Sequence, residues 1–152
     1  MFKNILVPTD GSESSQETIR RAITFAKEIG AGISVVHVRP ERRVAYYSDY
    51  RESGAGAASL PNQAEQEALD DETAKEILAP AVKLCAEAGV ACKPHVKKDN
   101  LVYQAIIDAA RDYACDLIFM ASHGRSGLGA VLLGSETIKV LTHSKIPVLV
   151  CR

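Results

Sequence analysis

Short apolar runs alternate along this chain with longer stretches whose apolar residues recur every three or four positions. The runs are Ile5-Leu6-Val7, Ile33 to Val38, Leu117 to Met120 and Pro147 to Cys151, with Ala91 to Val96 a further, more polar strand. Runs of this length, apolar at successive positions, are strands buried on both faces. Between the first two, Ile19, Ala22, Ile23, Ala26 and Ile29 fall on one helical face. Ser14 with Glu17 reads as the capping box of that helix, and Gly30 and Gly32 stop it. From 63 to 88 a longer stripe follows: Ala74, Ile77, Leu78, Ala81, Val82, Cys85 and Ala88. Pro80 removes the N–H that would bond the Glu76 carbonyl, so a kink or a break into two helices is expected, and Gly89 ends the element. Pro94 cannot donate to a ladder and puts the third strand at a sheet edge. Asp99 or Asn100 caps a third helix with Val102, Ile106, Ala109, Ala110 and Tyr113 inward, and a last helix from Ser135 carries Ile138 and Leu141.

Strand and helix alternate throughout, so the expected fold is α/β, an open parallel sheet with helices on both faces. All 152 residues belong to one domain. Residues 39–62 have no period; they hold Ser53, Gly54, Gly56, Ser59 and Pro61, and read as a long mobile loop.

Composition narrows the class of partner. Apolar residues make up 47% and charged residues 24%, with net charge −1, which gives no electrostatic case for nucleic acid or an anionic membrane. No apolar run has the length of a membrane span, and Met1 leads straight into a strand without a signal-peptide layout. A cytoplasmic protein is the expectation. Cys85, Cys92, Cys115 and Cys151 form no Cys-x-x-Cys pair and sit in apolar sequence, as buried small hydrophobes in a reducing compartment do.

Ligands of parallel sheets bind beyond the carboxyl ends of the strands. Two strands end there in turn chemistry: Thr9-Asp10-Gly11 after the first, Ala121-Ser122-His123-Gly124 after the fourth. The second of these is a strand, a glycine loop and a helix start at Gly134-Ser135, with Ser135 as the cap. Free N–H groups and the helix dipole then favour an anion. Asp10 reads as a turn former or a ligand contact. His123 has no second ligand at metal spacing and reads as a loop histidine bonded to backbone; Arg125 either reaches phosphate oxygens or is solvated. Arg39, Arg42 and Arg43 read as a solvated loop. The P-loop pattern and a Gly-x-Gly-x-x-Gly after the first strand are both absent.

The spacing Ala121, Ser122-His123, Gly124, nine residues from Arg125 to Leu133, then Gly134-Ser135 resembles the nucleotide-binding signature of the universal stress proteins. That signature is a small residue, two residues, Gly, nine residues, then Gly-Ser or Gly-Thr. Ala121 stands where the ATP-binding members usually carry Gly. The resemblance implies a five-stranded sheet of order 3-2-1-4-5 and ATP as ligand, with or without Mg2+. Carried over residue by residue, it implies a site of Pro8, Thr9, Asp10, Val38, Met120, Ala121, His123, Gly124, Arg125, Gly134, Ser135, Glu136 and Thr137, with Asp10 and the Val38 backbone at the adenine. It assigns no catalytic residue and no metal ligand. The implied role is stress response or signalling by binding rather than rapid turnover. Two alternatives stand beside it. One is a dimeric interaction module that has lost nucleotide binding. The other is a nucleotide hydrolase or adenylyl-transfer domain, whose Lys or His motif at strand one is not what Pro8-Thr9-Asp10-Gly11 offers. Strand 146–151 is apolar and expected at the other sheet edge, where the resemblance implies an antiparallel homodimer contact.

Overall fold

The computed structural model describes residues 1–41, 62–123 and 133–152. The loop expected over 39–62 therefore lies almost wholly outside the described residues, as do Gly124 and Arg125. Among the described residues nine elements follow one another: β1 (Asn4–Pro8), α1 (Glu13–Ile29), β2 (Gly32–Arg39), α2 (Gln63–Ala88), β3 (Cys92–Lys98), α3 (Val102–Asp112), β4 (Leu117–Ala121), α4 (Ser135–His143) and β5 (Val148–Cys151). The strands form one sheet in the order β3-β2-β1-β4-β5, all parallel.

The period of two explains why the central strands are apolar on both faces, while the edge strand β3, Cys92–Lys98, has no buried residue. Ile5, Val7, Ile33, Val35, Leu117 and Phe119 face one way, onto Ile19, Ala22, Ile23 and Ala26 of α1 and Leu78, Ala81 and Cys85 of α2. Leu6, Val36, Ile118 and Met120 face the other way, onto Ile106, Ala109 and Ala110 of α3 and Val140 of α4. Ile5, Leu6 and Val7 have no exposed surface, and each such side chain contributes about 2 kcal/mol by leaving water. At the amino edge of the sheet the Asp116 carboxylate accepts from the backbone N–H of Lys3 at 2.8 Å and of Asn4 at 3.1 Å, which fixes β1 against β4. Gly30 and Gly89 end α1 and α2 in the left-handed region, at φ 70° and 72°, where only glycine sits without strain.

Several local expectations change. The cap of α1 is Ser12, whose hydroxyl accepts from Ser15 N at 3.2 Å; Ser14 instead donates to the His123 carbonyl at 3.1 Å. Helix α2 runs unbroken through Pro80 under a capping box of Asn62 and Glu65. Its hold on the core through Ala74, Leu78, Ala81 and Cys85 spans the proline and outweighs one missing hydrogen bond. Neither Asp99 nor Asn100 caps α3: the cap position is Leu101, whose apolar side chain cannot accept an N–H. Gly134, not Ser135, is the N-cap of α4. Ile138 and Leu141 are 49% and 42% exposed, and Thr137 and Val140 form the inner face instead. Arg39 is not a solvated loop residue. It closes β2 at 4% exposure, with its guanidinium 2.7 Å from Asp71 and 3.6 Å from Asp70 of α2.

Candidate functional site

The carboxyl ends of β1 and β4 are adjacent in the sheet, and each chain continues into a tight, hydroxyl-rich turn. After β1, Thr9 N bonds the Val36 carbonyl at 2.9 Å, which holds the turn over β2. Thr9 Oγ1 and Ser15 Oγ lie 3.0 Å apart, Gly11 N donates to Thr9 Oγ1, and Ser12 N donates to Asp10 Oδ1 at 2.9 Å. The Asp10 side chain thus does form the turn its sequence suggested. His37 Nδ1 lies 2.9 Å from the Thr9 carbonyl. A carbonyl only accepts, so Nδ1 carries the proton and, in the neutral ring, Nε2 is left as the acceptor.

The second turn is tied more closely still. Ser122 N donates to the Cys151 carbonyl at 2.8 Å, and Gly134 N donates to the Ser122 carbonyl at 2.6 Å. Thr137 Oγ1 donates back to the Ala121 carbonyl at 3.0 Å. His123 Nδ1 is 2.8 Å from the Ser122 hydroxyl, so this ring bonds a side chain rather than the backbone expected for it. The start of α4 is therefore held directly against the end of β4, and among the described residues no side chain caps its first N–H groups.

Between the two turns lies a cavity of about 320 Å3. Pro8, Thr9, Asp10, Val38, Met120, Ala121, His123, Gly134, Ser135, Glu136 and Thr137, all drawn from the sequence, line it. Ser15, Val36, His37, Val102 and Ile106 line it too and were missed. Val102 and Ile106 are one helical turn apart at the start of α3, and their spacing was read as packing alone. Val36, Val38, Val102, Ile106 and Met120 make an apolar chamber; the turns and the α4 N-terminus make its polar end. Such a site takes a flat apolar group at one end and a group that accepts N–H bonds at the other.

One wall is braced across the sheet face. Glu136 Oε2 accepts from Tyr103 N at 2.8 Å and so supplies the cap that α3 lacks locally. Its Oε1 lies 2.8 Å from Lys139 Nζ. Asp10, His37 and Val38 also border a second cavity, of about 330 Å3, closed on the α2 side by Arg39, Asp70, Thr73 and Ile77.

The profile of the universal stress protein family matches residues 1–152. The chain belongs to the universal stress protein family. Universal stress protein YxiE of Bacillus subtilis is 33% identical over 155 residues, with all of both chains covered. Universal stress protein MJ0531 of Methanocaldococcus jannaschii is 30% identical, with all of this chain and 83% of the relative covered. The solved structure of MJ0577 from the same organism superposes with a TM-score of 0.75 at 27% identity, over 99% of this chain and 95% of that one. Two further universal stress protein structures share the fold, one in complex with cAMP (TM-score 0.71, 22% identity) and one from Archaeoglobus fulgidus in complex with dAMP (TM-score 0.68, 21% identity). No described helix is long and apolar enough to cross a membrane.

Proposed function

We propose that this universal stress protein binds an adenine nucleotide in the cavity between the β1 and β4 turns, and that it acts by binding rather than by turnover. The observation that carries the reading is the form of the cavity: an apolar chamber that ends at a helix N-terminus with no side-chain cap among the described residues. The base would lie among Val36, Val38, Ile106 and Met120, and the phosphate at Gly134, Ser135 and Thr137. Two structures of the same fold hold cAMP and dAMP, and both ligands are adenine monophosphates. ATP, with or without Mg2+, is the first ligand to titrate, in line with the residues that match the family signature. Gly124 and Arg125 belong to that proposed phosphate loop. The proposal includes a cytoplasmic homodimer joined through the edge of β5.

Isothermal titration with ATP, AMP and cAMP, each with and without Mg2+, tests the binding. Heat and saturation with at least one of them is expected. No heat from any of them at millimolar concentration would sink the reading. It would favour the alternative of an interaction module without a nucleotide, which the Ala121 side chain in the cavity wall supports.

A further inference from the structure

The described part of the cavity lining, which leaves out Arg125, has an odd charge balance for a site that takes phosphates. Its described lining residues include two carboxylates, Asp10 and Glu136, and no lysine or arginine. Glu136 is the second residue of α4. The partial positive charge of that helix terminus is therefore already faced by a full negative one.

The carboxylate is also pinned. Tyr103 N holds one oxygen and Lys139 Nζ the other, each at 2.8 Å. Swinging Glu136 away would strand a first-turn N–H of α3, since Leu101 offers no side-chain cap. Lys139 offsets Glu136 only in part. It does not line the cavity, its side chain is 48% exposed, and it also lies 5.6 Å from the Tyr103 ring centre. A half-exposed ion pair of this kind is weak and leaves the carboxylate's field largely in place at the helix start.

We infer that Glu136 is a specificity residue that weighs ligand charge, penalising each added unshielded phosphate charge. This inference rests on the adenine-nucleotide reading of the site. Adenine monophosphates and cyclic monophosphates meet a small penalty. ATP without a divalent cation meets a large one, and Mg2+ lowers it by neutralising phosphate charge away from the protein.

The experiment is titration of adenosine, AMP and ATP, the last with and without Mg2+, into the wild type, Glu136→Gln and Lys139→Met. Gln keeps an oxygen to accept from Tyr103 N and removes only the charge. In Glu136→Gln, affinity for Mg2+-free ATP should rise about tenfold, for AMP about threefold and for adenosine less than twofold, as expected for one carboxylate a few ångströms from the phosphates at an intermediate dielectric. Lys139→Met bares Glu136 and should weaken ATP without changing adenosine, which keeps the test open should Glu136→Gln fold poorly. An equal change for all three ligands in Glu136→Gln would mark Glu136 as a brace only and overturn the inference while leaving the nucleotide reading intact. Absence of binding by every ligand in all three proteins overturns that reading and the inference with it.

Discussion

Gly134 is where a single methyl group should be felt most. Its torsions, φ −59° and ψ 147°, suit any residue, so its conformation does not require glycine. Its surroundings do. A Cβ at this position would lie 3.2 Å from the Ser122 carbonyl oxygen, 3.4 Å from His123 Cα and 3.7 Å from Thr137 Oγ1. Two effects of Gly134→Ala oppose each other. The unfolded chain loses freedom, which favours the variant by about 0.4–1 kcal/mol. Overpacking against neighbours that cannot move costs about 1–3 kcal/mol. The two nearest obstacles are backbone atoms, and all three are in tied segments: Ser122 N to Cys151 O at 2.8 Å, Gly134 N to Ser122 O at 2.6 Å, and Thr137 Oγ1 to Ala121 O at 3.0 Å. Overpacking should win, for a net loss of about 1 kcal/mol, and Gly134→Val should lose more. Gly32 is the control. Its added Cβ would meet nothing nearer than 3.6 Å, so Gly32→Ala should be neutral or slightly stabilising. Urea unfolding followed by circular dichroism measures all three. Gly134→Ala as stable as the wild type would show that the β4–α4 junction yields freely, and the argument from close approach would be wrong.

Other expectations follow from the described contacts. Arg39→Leu should cost about 1–2 kcal/mol and Arg39→Ala about 3, because Asp71 and Glu67 are 52% and 40% exposed and rehydrate, Asp70 at 19% does so only in part, and the lost bulk does not return in the alanine variant; denaturant midpoints that rank Ala at or above Leu would contradict this. Burial, with Lys93 and Lys97 nearby, lowers the His95 pKa below 6.5, and its ring stacks on Tyr113 at 3.6 Å. The folded state then binds fewer protons than the unfolded chain, so stability falls as pH drops below about 6.5 and levels off under the folded pKa. His95→Phe keeps the stack and should flatten that slope in thermal melts between pH 7 and 5; an unchanged slope assigns it to another group. For assembly, sedimentation at tens of micromolar should give a dimer, with slower amide exchange at 148–151 as concentration rises. A monomer there refutes β5 pairing. Lysine at Val148 and Val150 is a poor probe of that contact, since both side chains pack on the α3/α4 face of the core.

Elements that depend on their own sequence were legible in it. Apolar runs mark the central strands, Pro94 marks β3 as an edge, and Gly30 and Gly89 mark two helix ends, because burial on both faces, a missing ladder donor and a left-handed turn each leave a local mark. What went unread depends on partners far along the chain. The cap of α3 comes from Glu136, 33 residues beyond Tyr103. Arg39 is buried only because α2 brings Asp70 and Asp71 beside it, 32 residues on in the case of Asp71. His37 looked like one more strand residue until the turn after β1 placed the Thr9 carbonyl over it. The cavity's lining was legible largely from the two turns it lies between; its α3 wall was not, since Ile106 serves core and cavity at once and Val102, 38% exposed, lines the cavity without joining the core.

The clamp of Asp116 on the N–H groups of Lys3 and Asn4 has a consequence for how the chain is made. Asn4 and Asp116 are 112 residues apart, and β4, the second neighbour of β1, begins only at Leu117. As the protein leaves the ribosome, β1 finds β2 early and then waits with its other edge bare for most of synthesis. That edge is flanked by the wholly apolar Ile5-Leu6-Val7. The nascent chain thus carries an open, sticky strand until Leu117–Ala121 emerges. Truncated products ending before residue 117 should accordingly be trapped by chaperones or lost to aggregation, while the full-length chain, with its central strand closed on both sides, should not.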